Sequence, residues 1–388
     1  MLVLGAAVVG LSSAVHPAFA QTWTQTSAPS TNWAAVASSA DGSKLVAVVG
    51  GGGPICVSTN AGADWLPTSA PVTNWSSVAS SWDGTKLVAV GYVGLQGGPI
   101  FVSTDSGTTW TPAVAPLADW FSVASSADGS KCVAVVGPGS PGYGPIYIST
   151  NSGVSWTLAA NLDQGWYSVA SSADGSKLVA ASYCTYYCQQ PGGIFSSVDS
   201  GTTWTGTSGS DHWTAVASSA DGSKLVAAGY GGVFVSTNSG ATWAATSAPG
   251  SLFAVSADGS HLVAVGRGGI YTSTNAGVTW TSNAAPSLAW TAVASSADGS
   301  KLVAVANGGG IYIWQANPAP LLSLAPSGTN FVLSWTVPSM DFTLQQNSEL
   351  TTTNWTDVTN TMTLNLTNLH NEIIVSSSAG HRFYRLKD

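Results

Sequence analysis

From Trp23 to Trp314 the chain alternates short apolar runs with polar turns, and no stretch keeps a 3.6-residue apolar period between helix caps. Strands are therefore expected, and little or no helix. One unit shows the grammar: Trp213-Thr-Ala-Val-Ala-Ser-Ser219, then Ala220-Asp221-Gly-Ser223, then Lys224-Leu-Val-Ala-Ala228, a Gly-rich link, Val233-Phe-Val-Ser-Thr237, and Asn238-Ser-Gly-Ala-Thr-Trp243. The runs are β-branched and aromatic, and Asp-Gly supplies the positive φ that a tight hairpin turn demands. Each unit thus predicts four antiparallel strands. Its Asp recurs at 41, 83, 128, 174, 221, 258 and 298, with spacings of 42, 45, 46, 47, 37 and 40 residues.

Four strands in about 40 to 45 residues is the period of a β-propeller blade, so the chain predicts seven blades. The seventh copy reaches Ile311-Tyr-Ile-Trp314 and stops without its last turn and strand. The missing piece has a match at the other end. Trp23-Thr-Gln-Thr-Ser-Ala-Pro29 repeats Trp65-Leu-Pro-Thr-Ser-Ala-Pro71 and Trp243-Ala-Ala-Thr-Ser-Ala-Pro249, so the N-terminal segment is expected to supply the outer strand of blade 7. After Pro318-Ala-Pro320 the grammar changes, and Phe331-Val-Leu-Ser-Trp335, Phe342-Thr-Leu-Gln-Gln346, Trp355, Thr363-Leu-Asn-Leu-Thr367 and Phe383-Tyr-Arg-Leu386 predict a small β-sandwich. The expected organisation is residues 1–20 as a signal peptide, 21–316 as the propeller, 317–323 as a Pro-rich linker and 324–388 as the C-terminal module.

Six segments carry a resemblance to a known family: Ser58-Thr-Asn60-Ala-Gly-Ala-Asp-Trp65, Ser103 to Trp110, Ser149 to Trp156, Ser197 to Trp204, Ser236 to Trp243 and Ser273 to Trp280. They resemble Asp boxes, the bacterial neuraminidase repeats. By that resemblance, Asn60, Asp105, Asn151, Asp199, Asn238 and Asn275 cap the turn between third and fourth strands, and the Trp packs between blades. Sixfold recurrence favours turn architecture over catalysis for these residues. The C-terminal module resembles the fibronectin-type-III-like modules of secreted bacterial proteins through the spacing of its aromatics.

Composition narrows the function classes. With 10 Lys+Arg against 18 Asp+Glu, no basic stripe is available for phosphates, so neither nucleic acid nor an acidic membrane surface is an expected partner. The apolar stretch Leu2 to Ala20 ends in Ala18-Phe19-Ala20, the small-residue pattern of a secretory cleavage site, although a basic n-region is lacking. No later run is long enough to span a bilayer. Among four Cys, Cys184 and Cys188 are placed to staple one loop as a disulfide, whereas Cys56 and Cys132 fall in strand patterns as buried thiols. No cofactor and no metal site is expected, since His212 and His261 stand alone and no His lies near Cys184.

Enzymatic readings fare poorly. The resemblance to sialidases implies three Arg, a Tyr activated by Glu, and an acidic Asp, yet residues 21–315 hold one Arg, Arg267, and no Glu. Xyloglucan-cleaving glycosidases of similar architecture use paired Asp between two propellers, and only one propeller is present here. A binding role remains. The links between second and third strands are longest in blades 2 to 4, at 8, 9 and 11 residues against 3 to 5 elsewhere. Those links and the adjoining connections between blades nominate Tyr92, Asp119, Tyr143, Asp163, Gln164, Tyr183, Tyr186, Tyr187, Asp211 and His212 as ligand-binding residues. Aromatic rings beside amides and carboxylates suit sugars, whose C–H faces stack while their hydroxyls bond polar groups. Asp119, Asp163 and Asp211 stand where Asn32, Asn74 and Ala289 stand in other copies; as carboxylates they also define the alternative of a glycoside hydrolase or lyase. Lys44, Lys86, Lys131, Lys177, Lys224 and Lys301, beside the Asp-Gly turns, read as solubilising. The reading as a whole is a secreted, monomeric propeller binding an extracellular polysaccharide or protein, with the assembly propellers of photosystems, which act on protein partners but tend to carry an Arg-rich patch, as a further resemblance.

Overall fold

The computed structural model describes residues 23–93, 97–138, 144–183, 192–206, 212–266, 269–315, 322–328, 330–336, 343–348, 354–365, 370–376 and 382–387, and among them there is no helix. They form two compact units, 23–315 and 322–387. The signal-peptide expectation, residues 317–321 of the expected linker, Tyr143, Tyr186, Tyr187, Asp211, Arg267, Cys184 and Cys188 lie outside the described residues, as does the side chain of Asp163, while Leu322 and Ser323, also expected in the linker, belong to the second unit's core and first strand.

The first unit is a seven-bladed propeller. Blade 1 runs outward through Thr31–Ser38, Leu45–Val49, Ile55–Ser58 and Leu66–Pro67, each strand antiparallel to the last. Blades 2 to 6 repeat the plan, with inner strands Trp75–Ser80, Trp120–Ser125, Trp166–Ser171, Trp213–Ser218 and Leu252–Val255. Blade 7 consists of Trp290–Ser295, Lys301–Gly309, Ile311–Gln315 and, as expected from the sequence, the N-terminal strand Thr24–Gln25. Thr24 stands opposite Ile313, and Gln25 opposite Tyr312.

Every second strand is buried throughout in blades 1 to 4, as in Leu45–Val49, because both of its faces are covered. Alternation then sends neighbours to different cores: Leu45, Ala47 and Val49 pack with Val303, Val305 and Ile311 of blade 7, while Val46 and Val48 pack with Val78, Leu87 and Ala89 of blade 2. Trp75, Trp120 and Trp166 open their inner strands, Trp33 is the third residue of Thr31–Ser38, and all four are among the largest fully buried side chains. Truncating one to Ala is expected to cost about 3–5 kcal/mol.

The Asp-Gly turns crowd one face of the ring. Gly42 has a φ of 66° and donates its N–H to Ser39 O, and Asp41 Oδ1 accepts from Ser39 Oγ at 2.6 Å and Ser43 N at 3.0 Å. Lys side chains beside these turns do more than solubilise. Nζ of Lys301, Lys86, Lys131, Lys177 and Lys224 donates to the carbonyl of Asp41, Asp128, Asp174, Asp221 and Asp258 on the next blade, at 2.7–3.0 Å. The turns between third and fourth strands lie on the same face. Asn60 Oδ1 accepts from Asp64 N at 2.9 Å, Asp105 Oδ1 from Thr109 N at 2.9 Å, and Ala61 at φ 56° donates its N–H to Ser43 O.

The second unit holds two sheets, one of Ser323–Ser327, Asn330–Thr336, His370–Ser376 and Met362–Asn365, the other of Thr356–Asp357, Thr343–Asn347 and Phe383–Lys387. Leu322, Leu333, Leu344, Ile373 and Val375 form a core between them, a sandwich as expected. Arg385 lies 4.3 Å over the Trp355 ring and donates from Nε and Nη2 to Gln345 Oε1.

Candidate ligand-binding face

The face opposite the Asp-Gly turns is built from the links between second and third strands and the connections between blades. One backbone clip repeats there. Near the end of the second strand one residue donates its N–H to the carbonyl just ahead of the inner-strand Trp: Gly50 to Asn32, Tyr92 to Asn74, Gly137 to Asp119, Tyr183 to Gly165, Tyr230 to His212 and Asn307 to Ala289, at 2.8–3.2 Å. The clip fixes which positions correspond between copies. Asp119 does match Asn32, Asn74 and Ala289, but Gly165 and His212 hold that place in blades 4 and 5, not Asp163 and Asp211. The inserted residues ahead of Trp166 and Trp213 had shifted the sequence comparison.

The same register exposes a departure that the sequence reading missed. Immediately after the inner-strand Trp, blades 1, 2, 5 and 7 carry Ala34, Ser76, Thr214 and Thr291, whereas blades 3 and 4 carry Phe121 and Tyr167. Their rings meet across the blade junction with centroids 4.7 Å apart. Tyr167 continues to Tyr183 at 5.0 Å, Tyr183 to His212 at 4.6 Å and to Tyr230 at 5.7 Å, and His212 to Tyr230 at 5.2 Å. A row of five rings therefore crosses blades 3 to 5. The Tyr183 and Tyr230 hydroxyls stand 3.0 Å apart, and Tyr230 is 72% exposed while the other four are half-buried.

Local backbone explains the placement. Tyr230 occupies the tip of a two-residue hairpin closed by Gly229 opposite Gly232, so the short link of blade 5 lifts its side chain into solvent. Phe121 needs Gly137 beneath it, since a Cβ there would come within 2.4 Å of the ring. Burial raises the Tyr167 hydroxyl above its ordinary pKa, with the Tyr230 phenol adding to that, so Tyr167 stays a neutral donor and acceptor at pH 7.

Of the sequence-nominated residues, Tyr183 and His212 belong to this row. Tyr92 stands on the same face in blade 2, 37% exposed, two blades from Tyr183. Asp119 is buried at 2% exposure at the base of the link between blades 2 and 3. Gln164 is also buried, its Oε1 accepting from Ser182 Oγ at 2.8 Å, so it ties the outer strand of blade 3 to the end of the second strand of blade 4 instead of facing a ligand. Cys56 and Cys132 are buried thiols in strands, and burial pushes both up to about 11. Among the described residues no three His, Cys, Asp or Glu side chains gather as a metal site requires.

The geometry defines an all-β protein built on a seven-bladed propeller, and the similarities to known proteins are of fold. No family model and no curated protein matches the chain. Among solved structures it is similar to the GH74 enzyme of Niastella koreensis, with 16% identity and a TM-score of 0.59 over 81% of this chain and 59% of that one. YCF48 from Cyanidioschyzon merolae is similar at 17% identity and TM-score 0.55, over 76% of this chain and 98% of that one. A YCF48 structure bound to D1 peptide is similar at 14% identity and TM-score 0.55, over 80% and 98%. Thus the chain spans 59% of the GH74 protein's length but nearly the whole of YCF48. Among the described residues, no helix is long and apolar enough to cross a membrane.

Proposed function

We propose that the protein is a secreted, monomeric, non-enzymatic binding module whose propeller holds a polysaccharide or protein ligand on the link face of blades 3 to 5. In this reading the six Ser-x-Asn/Asp turns are Asp boxes with a purely architectural role, and the C-terminal sandwich is a fibronectin-like attachment or spacing module. The supporting observation is the row Phe121, Tyr167, Tyr183, His212 and Tyr230, which concentrates aromatic surface on blades 3 to 5 and at the Phe121 and Tyr167 positions replaces the Ala, Ser or Thr of blades 1, 2, 5 and 7. That a similar propeller is bound to a peptide is in keeping with ligand capture by this fold. Export follows from the N-terminal segment read as a signal peptide. The test is to probe glycan and peptide arrays with the full chain and with its Tyr183→Ala and Tyr230→Ala variants. Signals that vanish in both variants support the site; signals indifferent to both would remove it.

A further inference from the structure

We infer that the ligand of the aromatic row is an extended, uncharged glycan chain lying across blades 3 to 5. The inference rests on the reading of that row as the binding site, and three observations carry it further. First, charge is segregated between the two faces. The six Lys beside the Asp-Gly turns, the seven Asp of those turns, and Asp64, Asp105 and Asp199 all sit on the turn face. On the link face the described residues include no Lys, no Arg and no Glu; its carboxylates are the buried Asp119 and, in the outer strand of blade 3, Asp163. A folded protein partner is steered and registered by complementary charge, and a polyanion needs cations. Among its described residues, this face offers neither.

Second, beside the His212 imidazole, the row presents the hydroxyls of Tyr167, Tyr183 and Tyr230. The Tyr183 and Tyr230 phenols pair at 3.0 Å, each hydroxyl being of a kind that both donates and accepts. Hydroxyls that both donate and accept match a sugar's own hydroxyls, while the ring faces match its C–H faces. Third, the row is long. Steps of 4.7, 5.0 and 5.7 Å carry Phe121 to Tyr167, Tyr183 and Tyr230 over three blades, more than one monosaccharide ring covers. The chain would enter beside Tyr230, where the short hairpin of blade 5 leaves that ring most open.

The experiment is affinity electrophoresis of the full chain in gels containing neutral soluble polysaccharides (β-glucan, xyloglucan, mannan, pullulan), in gels containing polygalacturonate, and, separately, titration with a proline-rich dodecapeptide. At least one neutral polysaccharide is expected to retard the protein. Tyr230→Ala should weaken that binding about tenfold, the equivalent of losing one stacked ring, and Tyr183→Phe should weaken it less. Trp82→Ala, at an exposed position on the turn face, should leave it unchanged. Retardation only by polygalacturonate, or none by any neutral polysaccharide, overturns the inference. Tyr230-dependent binding of the dodecapeptide alone overturns the glycan while keeping the site. Glycan binding that ignores Tyr230→Ala and Tyr183→Phe overturns both.

Discussion

At the scale of single residues, the Asp of each Asp-Gly turn is a carboxylate held by hydroxyl and amide donors. In Asp41, Asp83, Asp128 and Asp221 the Ser hydroxyl two residues earlier, then the backbone N–H and hydroxyl two residues later, hold the carboxyl down to about 2. The folded value lies below that of the unfolded chain, about 4, so this stabilisation is complete above pH 4 and is lost as pH falls through about 2. Thermal unfolding followed by calorimetry should show a melting temperature nearly flat from pH 7 to 5 and falling steeply between pH 4 and 2. Because the carboxylates are solvent-exposed, each contributes modestly, and it is their repetition that steepens the fall. A flat profile down to pH 2 would exclude the network as a source of stability. These turns were legible in the sequence because a tight turn is specified by its own few residues. Phe121 and Tyr167 were not, since an aromatic residue in a strand is ordinary β composition, and only alignment of all seven copies reveals that Ala34, Ser76, Thr214 and Thr291 hold the same place. Tyr230 carries no such signal either, since it sits in one of the shortest links, where length marks nothing.

At the scale of the element, blade 6 breaks the rules that its neighbours keep. Gly250 stands where the other blades carry the inner-strand Trp, and that strand, Leu252–Val255, has 4 residues against 6 in blades 2 to 5. His261 replaces the Lys that elsewhere reaches the next blade; its Nδ1 instead pairs with Ser260 Oγ at 2.8 Å. The junctions of blades 2–3, 3–4 and 4–5 each gain an N–H to Ser hydroxyl bond, Val123 to Ser77, Val169 to Ser122 and Val216 to Ser168, at 3.1–3.2 Å. Blade 6 has Leu252 at the corresponding inner-strand site, and like Ala35, Ala215 and Ala292 of blades 1, 5 and 7 it offers no hydroxyl, so this tie separates blade 6 from blades 2 to 4 only. With less buried area and fewer ties, it belongs to the low-stability end of the molecule. Hydrogen exchange should therefore release the amides of Leu252–Val255 and Leu262–Gly266 before those of Trp166–Ser171 and Leu178–Ser182. His261→Lys should restore the bridge and raise stability by about 0.5–1 kcal/mol. Uniform exchange across the seven blades, or a His261→Lys variant no more stable than the parent, would refute this ranking.

At the scale of the whole molecule, a ring differs from a stack in having no terminal repeat, and two closed circuits show that this chain achieves it. Its apolar cores fall between successive blades, including one between blades 7 and 1. On the turn face, N–H to O=C bonds of 2.7–2.8 Å run from Ala40 to Trp82, Ala127, Ala173, Ala220, Ala257, Ala297 and back to Ala40. Closure of this kind was legible in the sequence because the last copy lacks what the first residues supply. Its energetic consequence follows from how little chain performs it. The N-terminal strand contributes two register pairs, the Thr26 N–H to Ile311 O bond, and Trp23, buried at 6% exposure with its ring 6.4 Å from Trp290. Losing that Trp alone is worth about 3–5 kcal/mol, and blade 7 would be left with an unpaired third strand as an edge. Deleting residues 21–29 should accordingly lower the melting temperature by about 10 °C, and a synthetic peptide of the same residues, added in excess, should recover part of the loss by binding the folded ring. An unaltered melt, or a loss that the peptide leaves untouched, would mean that the circuits through blades 7 and 1 hold without the strand, and that its pairing with Ile311–Gln315 follows from closure instead of causing it.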